Sequence, residues 1–206
     1  MEKLEFLKSI VEALKAFDNP SIKLSLNNVH AEGLFSLVVS GTEHGKLTRV
    51  FIADKRLNPF EVQLHTHRYP LRITAIKGII KHHLAERVSV PDFTSISIPE
   101  YEYKSFLNGG FGLKYMKNTD IKCSDFIIPL GASINMGIQD FHTVSCSKGS
   151  IWIVEEQGFE THSSIVLGIP FVVDSLYSEP AMFQLNDKRQ LVIREVKKII
   201  QNYELV

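Results

Sequence analysis

Eight short apolar segments separated by turn residues constrain the fold of this sequence more than any other feature. They are rich in β-branched and aromatic residues and are bounded by Gly, Pro, Asn or Asp. The segments are LFSLVVSG, LTRVFIAD, VQLHTH, LRITAIKG, DFIIPLG, FHTVSC, IWIVEEQG and SSIVLGIPFVV. Many short strands of this kind are typical of an antiparallel sandwich or barrel and argue against alternating β-α-β units. The pattern predicts an all-β region over about residues 30–180.

One amphipathic helix is predicted on each side of this β region. Within residues 2–17 the apolar residues that share one helix face are Leu4, Leu7, Val11 and Leu14. Pro20 cannot continue that helix. A second helix, predicted over residues 187–203 and capped by Asn186 or Asp187, has the apolar residues Val192, Val196, Ile199 and Ile200.

We therefore expect a single domain of residues 1–206. It consists of an N-terminal helix within residues 1–20, a β-barrel over about residues 30–180 and a C-terminal helix over residues 186–203. The apolar helix faces either pack on the barrel or meet a second subunit, so a homodimer stays open as an alternative.

Charge and cysteine content narrow the classes of partner and compartment. Lys plus Arg and Asp plus Glu both number 23, so the formal net charge is zero, whereas nucleic acids and anionic membranes normally require a basic excess. The two cysteines, Cys123 and Cys146, favour reduced thiols over a disulfide scaffold. The sequence shows neither a secretion signal nor an apolar stretch near the roughly 20 residues that span a bilayer. We expect a cytoplasmic protein with a small-molecule substrate and no nucleic-acid or membrane partner.

The most informative motif is QLHTHRYPLRITAIKG, residues 63–78. Side chains alternate along a strand, so Gln63, His65 and His67 are expected to point to one face. Inside a barrel, two adjacent imidazoles could bind one metal ion together with a third ligand from a neighbouring strand. Imidazole suits Fe, Zn, Ni and Cu, and a set of three ligands leaves positions open for substrate or oxygen. The alternative for this pair alone is a surface strand, because the chain has eight histidines.

Two spacings around these histidines resemble the two motifs of the cupin superfamily. Gly78 lies eleven residues after His67, where the first motif closes on a glycine. In GASINMGIQDFH, Gly131 lies eleven residues before His142, as in the second motif. The resemblance covers about residues 45–160. It implies a small jelly-roll barrel in which His65, His67 and His142 bind one metal ion.

The sequence departs from the cupin pattern in ways that carry chemical content. The departures are Pro59, Gly137, Gln139 and Cys146 in place of the family's Gly, Pro, Gly and Asn, and Leu71 in place of its acidic metal ligand. An all-imidazole ligand set leaves a divalent ion with its full charge, which attracts anionic ligands and lowers the pKa of a bound water or thiol. This acid-free set is similar to that of the thiol dioxygenases, cupins in which a non-haem iron binds a small thiol and oxygen.

The resemblance implies a metal-dependent enzyme, for which we hold three hypotheses. The first is a non-haem iron oxygenase, a dioxygenase with Fe(II), that acts on a small polar or thiol-containing molecule. The second is a non-oxidative isomerase or hydrolase that uses Zn, Mn or Ni as a Lewis acid. The third is a barrel that binds a small ligand without catalysis, because a fold alone does not determine an activity.

Several polar residues near the motifs are candidates for supporting roles. Arg72 could bind a substrate carboxylate and Tyr69 could donate a hydrogen bond to substrate, so we take both as candidate catalytic residues. The alternatives are a solvated arginine and a tyrosine that only packs. Two adjacent pairs, His82 with His83 and Glu155 with Glu156, are each expected to turn one member inward. An inward histidine could act as a proton shuttle or spare ligand, and an inward glutamate as a base or ligand; structural or exposed roles are the alternatives.

Overall fold

The computed structural model describes residues 3–16, 23–42, 45–59, 62–104, 109–158, 161–168, 181–182 and 186–204. Two helices, α1 (Lys3–Lys15) and α2 (Asn186–Glu204), flank the strands. The strands are β1 (Leu26–Asn27), β2 (Leu34–Ser40), β3 (Thr48–Ala53), β4 (Leu71–Lys77), β5 (Ile80–Arg87), β6 (Ile96–Lys104), β7 (Gly112–Ile127), β8 (Ser133–Met136), β9 (Phe141–Cys146), β10 (Ile151–Glu156), β11 (Ser164–Leu167) and β12 (Ala181–Met182). The prediction of a mainly β chain with one helix on each side is confirmed at this level.

The strands form two antiparallel sheets. The first sheet has the order β12-β1-β2-β3-β10-β4-β8, and the second has the order β11-β6-β7-β5-β9. From β7 onward the chain alternates between the sheets, because β8 and β10 belong to the first and β9 belongs to the second. Strands far apart in sequence therefore become neighbours, as where Ile153 of β10 pairs with Val50 of β3 and with Thr74 of β4.

A short segment, residues 64–66, connects the two edge strands of the second sheet. The amide of His65 donates to the carbonyl of His142 in β9 at 2.9 Å. On its other side, the amide of Thr66 donates to the carbonyl of Ile165 in β11 at 2.8 Å. This linking segment holds the second sheet in a curled form and places the His-x-His motif between two strands.

The two helices cover one face of the first sheet. Their apolar faces pack on it through a buried cluster that includes Leu7, Val11, Leu14, Val192 and Val196 from the helices and Val50, Ile52 and Ile153 from the strands. Each buried Leu or Val contributes about 1.5–3 kcal/mol. The apolar helix faces therefore pack on the strands, the first of the two arrangements left open by the sequence. Among the described residues, neither helix is long and apolar enough to cross a lipid bilayer.

The second sheet is packed on both of its faces. One face meets the first sheet through a buried cluster that includes Leu71, Ile73, Ala75, Trp152, Val154, Val144 and Cys146. The other face carries a smaller cluster to which the linking segment and all five strands contribute: Leu64, Ala85, Ile98, Ile121, Phe141, Ile165 and Leu167. Because β9 contributes to both clusters, it is fixed from two sides.

Candidate metal centre

Three histidines from two adjacent stretches of the second sheet converge on one point. His65 and His67 come from the linking segment and the residue after it, and His142 comes from β9. The three side chains each offer a ring nitrogen, and these nitrogens lie within 4.8 Å of one another. The intervening Thr66 points elsewhere, since its hydroxyl accepts a 2.9 Å hydrogen bond from the amide of Ile165. Strand alternation therefore aims both histidines of the motif at the same place.

The hydrogen bonding of His65 determines which of its nitrogens is free. Its Nδ1 lies 2.7 Å from the carbonyl oxygen of Gln63. A carbonyl oxygen can only accept, so Nδ1 carries the hydrogen and Nε2 of the neutral ring keeps a bare lone pair. That Nε2 is buried, and none of the residues that the structure describes forms a hydrogen bond with it. An unpaired buried acceptor is unfavourable, and a bare Nε2 is the donor that a metal ion requires.

The other two histidines belong to a chain of three imidazoles. Nε2 of His142 lies 2.6 Å from Nε2 of His67, and Nδ1 of His142 lies 2.6 Å from Nε2 of His82. His82 comes from β5 and is fully buried. The expectation that one of His82 and His83 turns inward is therefore correct, since His83 instead contacts Ser145 at 2.8 Å and has an exposed aspartate as its neighbour.

Burial keeps these imidazoles in the neutral form. It lowers the pKa of His65, and it lowers the pKa of His67 and His142 well below the ordinary value, with the neighbouring imidazoles adding to the effect. Burial also lowers the pKa of His82 to about 4. Neutral imidazole is the form that binds metal ions, so the group needs little deprotonation to receive one near neutral pH.

The spacing and chemistry of the three histidines fit a single metal ion. Two nitrogens bound to one ion at about 2.0–2.1 Å are roughly 3 Å apart. The observed separations, from 2.6 Å between His67 and His142 up to the 4.8 Å limit of the group, bracket that value. Among the described residues, the group that could hold an ion contains only histidines. Leu71, at the place of the acidic ligand, is buried in the apolar cluster between the sheets.

A further histidine, His30, lies beside this group and was not anticipated from the sequence. The ring centroid of His30 is 5.1 Å from that of His65. The residue is exposed at the surface, yet its imidazole is surrounded closely enough that burial lowers its pKa to about 3. His30 adopts a left-handed backbone conformation with φ 65°, as does Asn28 with φ 54°. The Asn28 carboxamide oxygen accepts a 2.9 Å hydrogen bond from the amide of Gly33, which stabilises this loop. No periodic pattern marks a loop residue of this kind, and the turn-forming asparagines are the one signal that points to this loop.

Tyr69 is part of a buried polar network at the inner face of the first sheet. The Glu156 carboxylate accepts hydrogen bonds from Arg49 Nε at 2.8 Å, from the amide of Gly45 at 2.6 Å and from the Tyr69 hydroxyl at 3.0 Å. Burial raises the pKa of Tyr69 to about 12, and the Glu156 carboxylate adds to this rise. Glu156 is the inward member of its pair, and its three donors leave it engaged in structure. Tyr69 donates its hydrogen to Glu156, so its oxygen is left to accept.

Arg72 lies away from the three histidines. It alternates along β4 with Leu71 and Ile73, which face the cluster between the sheets, so its own side chain leaves the opposite face. There its half-exposed guanidinium lies 3.7 Å from Glu155. The structure therefore does not bring Arg72 to the candidate metal centre. Arg49, by contrast, is buried and points inward, and it was not predicted from the sequence.

A cleft of about 650 Å³ leads toward the histidines from the side of β5 and β8. Its lining includes the apolar residues Leu84, Phe126, Ile134 and Met136, the exposed acids Glu86 and Asp140, and His82. His82 separates this cleft from His142. A small molecule in the cleft would thus lie one imidazole ring away from the candidate metal centre.

The comparisons with known proteins leave the family open. Neither the protein-family models nor the curated proteins contain a match to this sequence. What the structure establishes is a curled antiparallel sheet that carries a group of three histidines able to hold a metal ion.

Proposed function

We propose that this protein is a metal-dependent enzyme of the cupin type, a non-haem iron oxygenase that acts on a small polar or thiol-containing molecule. His65, His67 and His142 would hold the metal ion. The observation that carries this proposal is the buried, bare Nε2 of His65, which faces two further neutral imidazoles and, within the described part of the chain, no carboxylate.

The strand order supports the jelly-roll part of the proposal. The first sheet contains the run β3-β10-β4-β8, and the second contains the linking segment followed by β9, β5 and β7. Two packed four-stranded sheets between which the chain alternates are the arrangement of an eight-stranded jelly roll. On this reading β1, β2 and β12 extend the first sheet, and β6 and β11 extend the second.

The residues around the site favour an anionic substrate group. Three neutral imidazoles cancel none of the charge of a divalent ion, so a thiolate or carboxylate is a better partner for that ion than it would be beside an acidic ligand. His30, exposed beside His65, is placed to donate a hydrogen bond to a substrate bound there. The buried clusters on both faces of β9 hold His142 in position and exclude water from its far side. A bound iron ion would supply the redox chemistry.

The second candidate is a non-oxidative zinc enzyme, which the same set of three histidines supports. Three histidines with an open position are a known arrangement for catalytic zinc, and nickel or manganese would serve in the same non-oxidative role. The reaction would then be a hydrolysis or an isomerisation in which the ion polarises a carbonyl. The identity of the bound metal distinguishes this candidate from the oxygenase, and a barrel that only binds a ligand is the remaining alternative.

The decisive experiment is the metal content of the purified protein, measured by elemental mass spectrometry. We expect near-stoichiometric iron in the wild type and its loss in His65→Ala and His142→Ala, because each removes one of three ligands. His83→Ala is the matched control, since its side chain contacts Ser145 on the other face of the sheet, and it should retain the metal.

The outcomes separate the candidate functions. Iron lost in both ligand variants justifies an oxygen-consumption assay with small thiols and carboxylic acids. Zinc or nickel lost in both variants favours the non-oxidative enzyme. Metal retained in both variants, or absent from the wild type even after reconstitution, would contradict the three-histidine site.

A further inference from the structure

We propose that His82 is a positioning residue of the metal centre: it accepts the Nδ1 hydrogen of His142 and thereby keeps Nε2 of His142 free for the ion. This inference rests on the proposed metal site and adds to it a residue that does not touch the ion. It also assigns a direction to the hydrogen bonds that connect the three imidazoles.

The geometry of the β5–β9 pair brings the two rings together. Leu84 lies opposite His142 in the register of these strands, so His82 is the diagonal neighbour of His142 on the same face. The two rings meet edge to face, with centroids 4.8 Å apart and planes at 74°. Their nitrogens are 2.6 Å apart, the separation of a short, direct hydrogen bond.

Each neutral imidazole has one donor and one acceptor nitrogen, so the chain of three rings can run in only two directions. In the first direction, His67 donates to His142 and His142 donates to His82. In the second direction, His82 donates to His142 and His142 donates to His67. The second direction places a hydrogen on Nε2 of His142, where it would block the ion. The first direction leaves Nε2 of His142 without a hydrogen, although its lone pair then accepts from Nε2–H of His67. Both Nε2 lone pairs would be available to an ion once the His67 hydrogen moves to Nδ1, and the hydrogen that His142 donates to His82 stays where it is.

His82 is suited to the acceptor role because of where it lies. It is fully buried, and its Nδ1 has no hydrogen-bond partner within the described residues, so the contact with His142 is what determines which nitrogen of His82 carries the hydrogen. Metal-bound histidines usually donate their second N–H to a carbonyl or a carboxylate, as His65 does to Gln63. A neutral imidazole in that place orients His142 without adding a negative charge, which preserves the full charge of the ion.

The test compares zinc dissociation constants, measured by competition with a chromophoric chelator, for the wild type and three variants. His82→Phe keeps a ring of similar size but removes the acceptor, and we expect it to weaken zinc binding by about 10–100-fold. His82→Gln places an amide oxygen near the original Nε2 and should restore most of the affinity. His83→Phe, one residue along β5 and on its other face, should bind zinc like the wild type.

The position of the ring hydrogen on His142 is a second readout. A purely structural role of His82 would not change which nitrogen carries this hydrogen. Long-range ¹H–¹⁵N correlation spectra report which ring nitrogen carries it. We expect Nδ1–H on His142 in both the metal-free and the zinc-loaded wild type, and a shift toward Nε2–H in metal-free His82→Phe. Circular dichroism checks that His82→Phe folds. If it does not fold, the ¹H–¹⁵N spectra of His82→Gln and of the wild type decide the question instead.

The results distinguish failure of this inference from failure of the proposed function. Wild-type zinc affinity in folded His82→Phe, or a hydrogen on Nε2 of His142 in the wild type, would overturn the role of His82 and leave the three-histidine site intact. A wild type that binds neither zinc nor iron would overturn the site itself.

Discussion

At the scale of single residues, His30 has an unfavourable backbone conformation and lies beside the three histidines of the candidate metal centre. A left-handed conformation costs a non-glycine residue roughly 1–2 kcal/mol. Residues held in such conformations cluster at functional sites, where the surrounding structure keeps them in place. The ring of His30 lies against that of His65, and the residue reaches the surface, so we expect it to have a role in binding substrate.

Replacement of His30 by glycine should therefore stabilise the protein and weaken its activity. Relief of the strained conformation should raise the free energy of unfolding by roughly 1–2 kcal/mol. Glycine loses roughly 0.5–1 kcal/mol of extra chain entropy on folding, so the expected net gain is about 0.5–1 kcal/mol. Urea denaturation measures this change. His30→Ala removes the imidazole but keeps the strain, so it should not be stabilised. A glycine variant less stable than the alanine variant would refute the argument.

At the scale of secondary-structure elements, the network around Glu156 joins parts of the chain that the sequence separates. Arg49 belongs to β3, Glu156 ends β10, and Tyr69 follows the linking segment. Arg49 also donates to Ser36 of β2 at 3.2 Å. One buried carboxylate thus holds strands of the first sheet against the segment that leads into β4.

Loss of that carboxylate should be strongly destabilising. Glu156→Gln leaves the Arg49 guanidinium buried without its counter-charge, and removal of one partner from a buried pair costs about 3–5 kcal/mol. Glu155→Gln is the matched control at the next position. It weakens a 3.7 Å pair with the half-exposed Arg72 and should change the free energy of unfolding by less than about 1 kcal/mol. Urea denaturation that gives equal changes for the two variants would contradict this assignment.

Strand alternation explains which parts of the site could be predicted from the sequence. It correctly predicts that the side chains of His65 and His67 point the same way. It also predicts that one member of each adjacent pair, His82 with His83 and Glu155 with Glu156, faces inward. It did not reveal the direction of Arg72, because the chain bends at Arg68 and Tyr69 and β4 begins only at Leu71. A register that is one residue out inverts every side chain.

Other contacts depend on pairings between distant strands, which local patterns do not encode. The bond between His82 and His142 spans 60 residues, and His30 comes from an irregular loop. Strands β6 and most of β7 were also missed. Their many exposed and charged side chains do not form the apolar runs by which the other strands were recognised.

At the scale of the whole molecule, a cluster of buried neutral imidazoles makes stability depend on pH. The pKa of His82 is lowered to about 4 by burial, whereas a histidine in the unfolded chain titrates near 6.5. Between these values, the unfolded chain binds a proton that the folded protein does not. Stability is therefore lost as the pH falls below about 6.5, by about 1.4 kcal/mol per pH unit for each such histidine.

We expect the metal-free protein to be less stable at pH 5 than at pH 7. Urea denaturation in the presence of a chelator gives the free energy of unfolding at each pH. His82→Gln has no imidazole at that position, so the difference between the two pH values should be smaller in this variant. Equal stability of the wild type at pH 5 and pH 7 would show that the imidazoles are not held neutral by burial.

The linking segment also determines how copies of this protein could associate. Strands at the border of a sheet expose unpaired amides and carbonyls that recruit strands from other molecules. In the second sheet Leu57 and residues 64–66 already engage such groups at His142 and Cys146 of β9 and at Ile165 and Leu167 of β11. Intermolecular strand addition, whether in an ordered dimer or in aggregation, is thereby directed away from the sheet that carries the histidines.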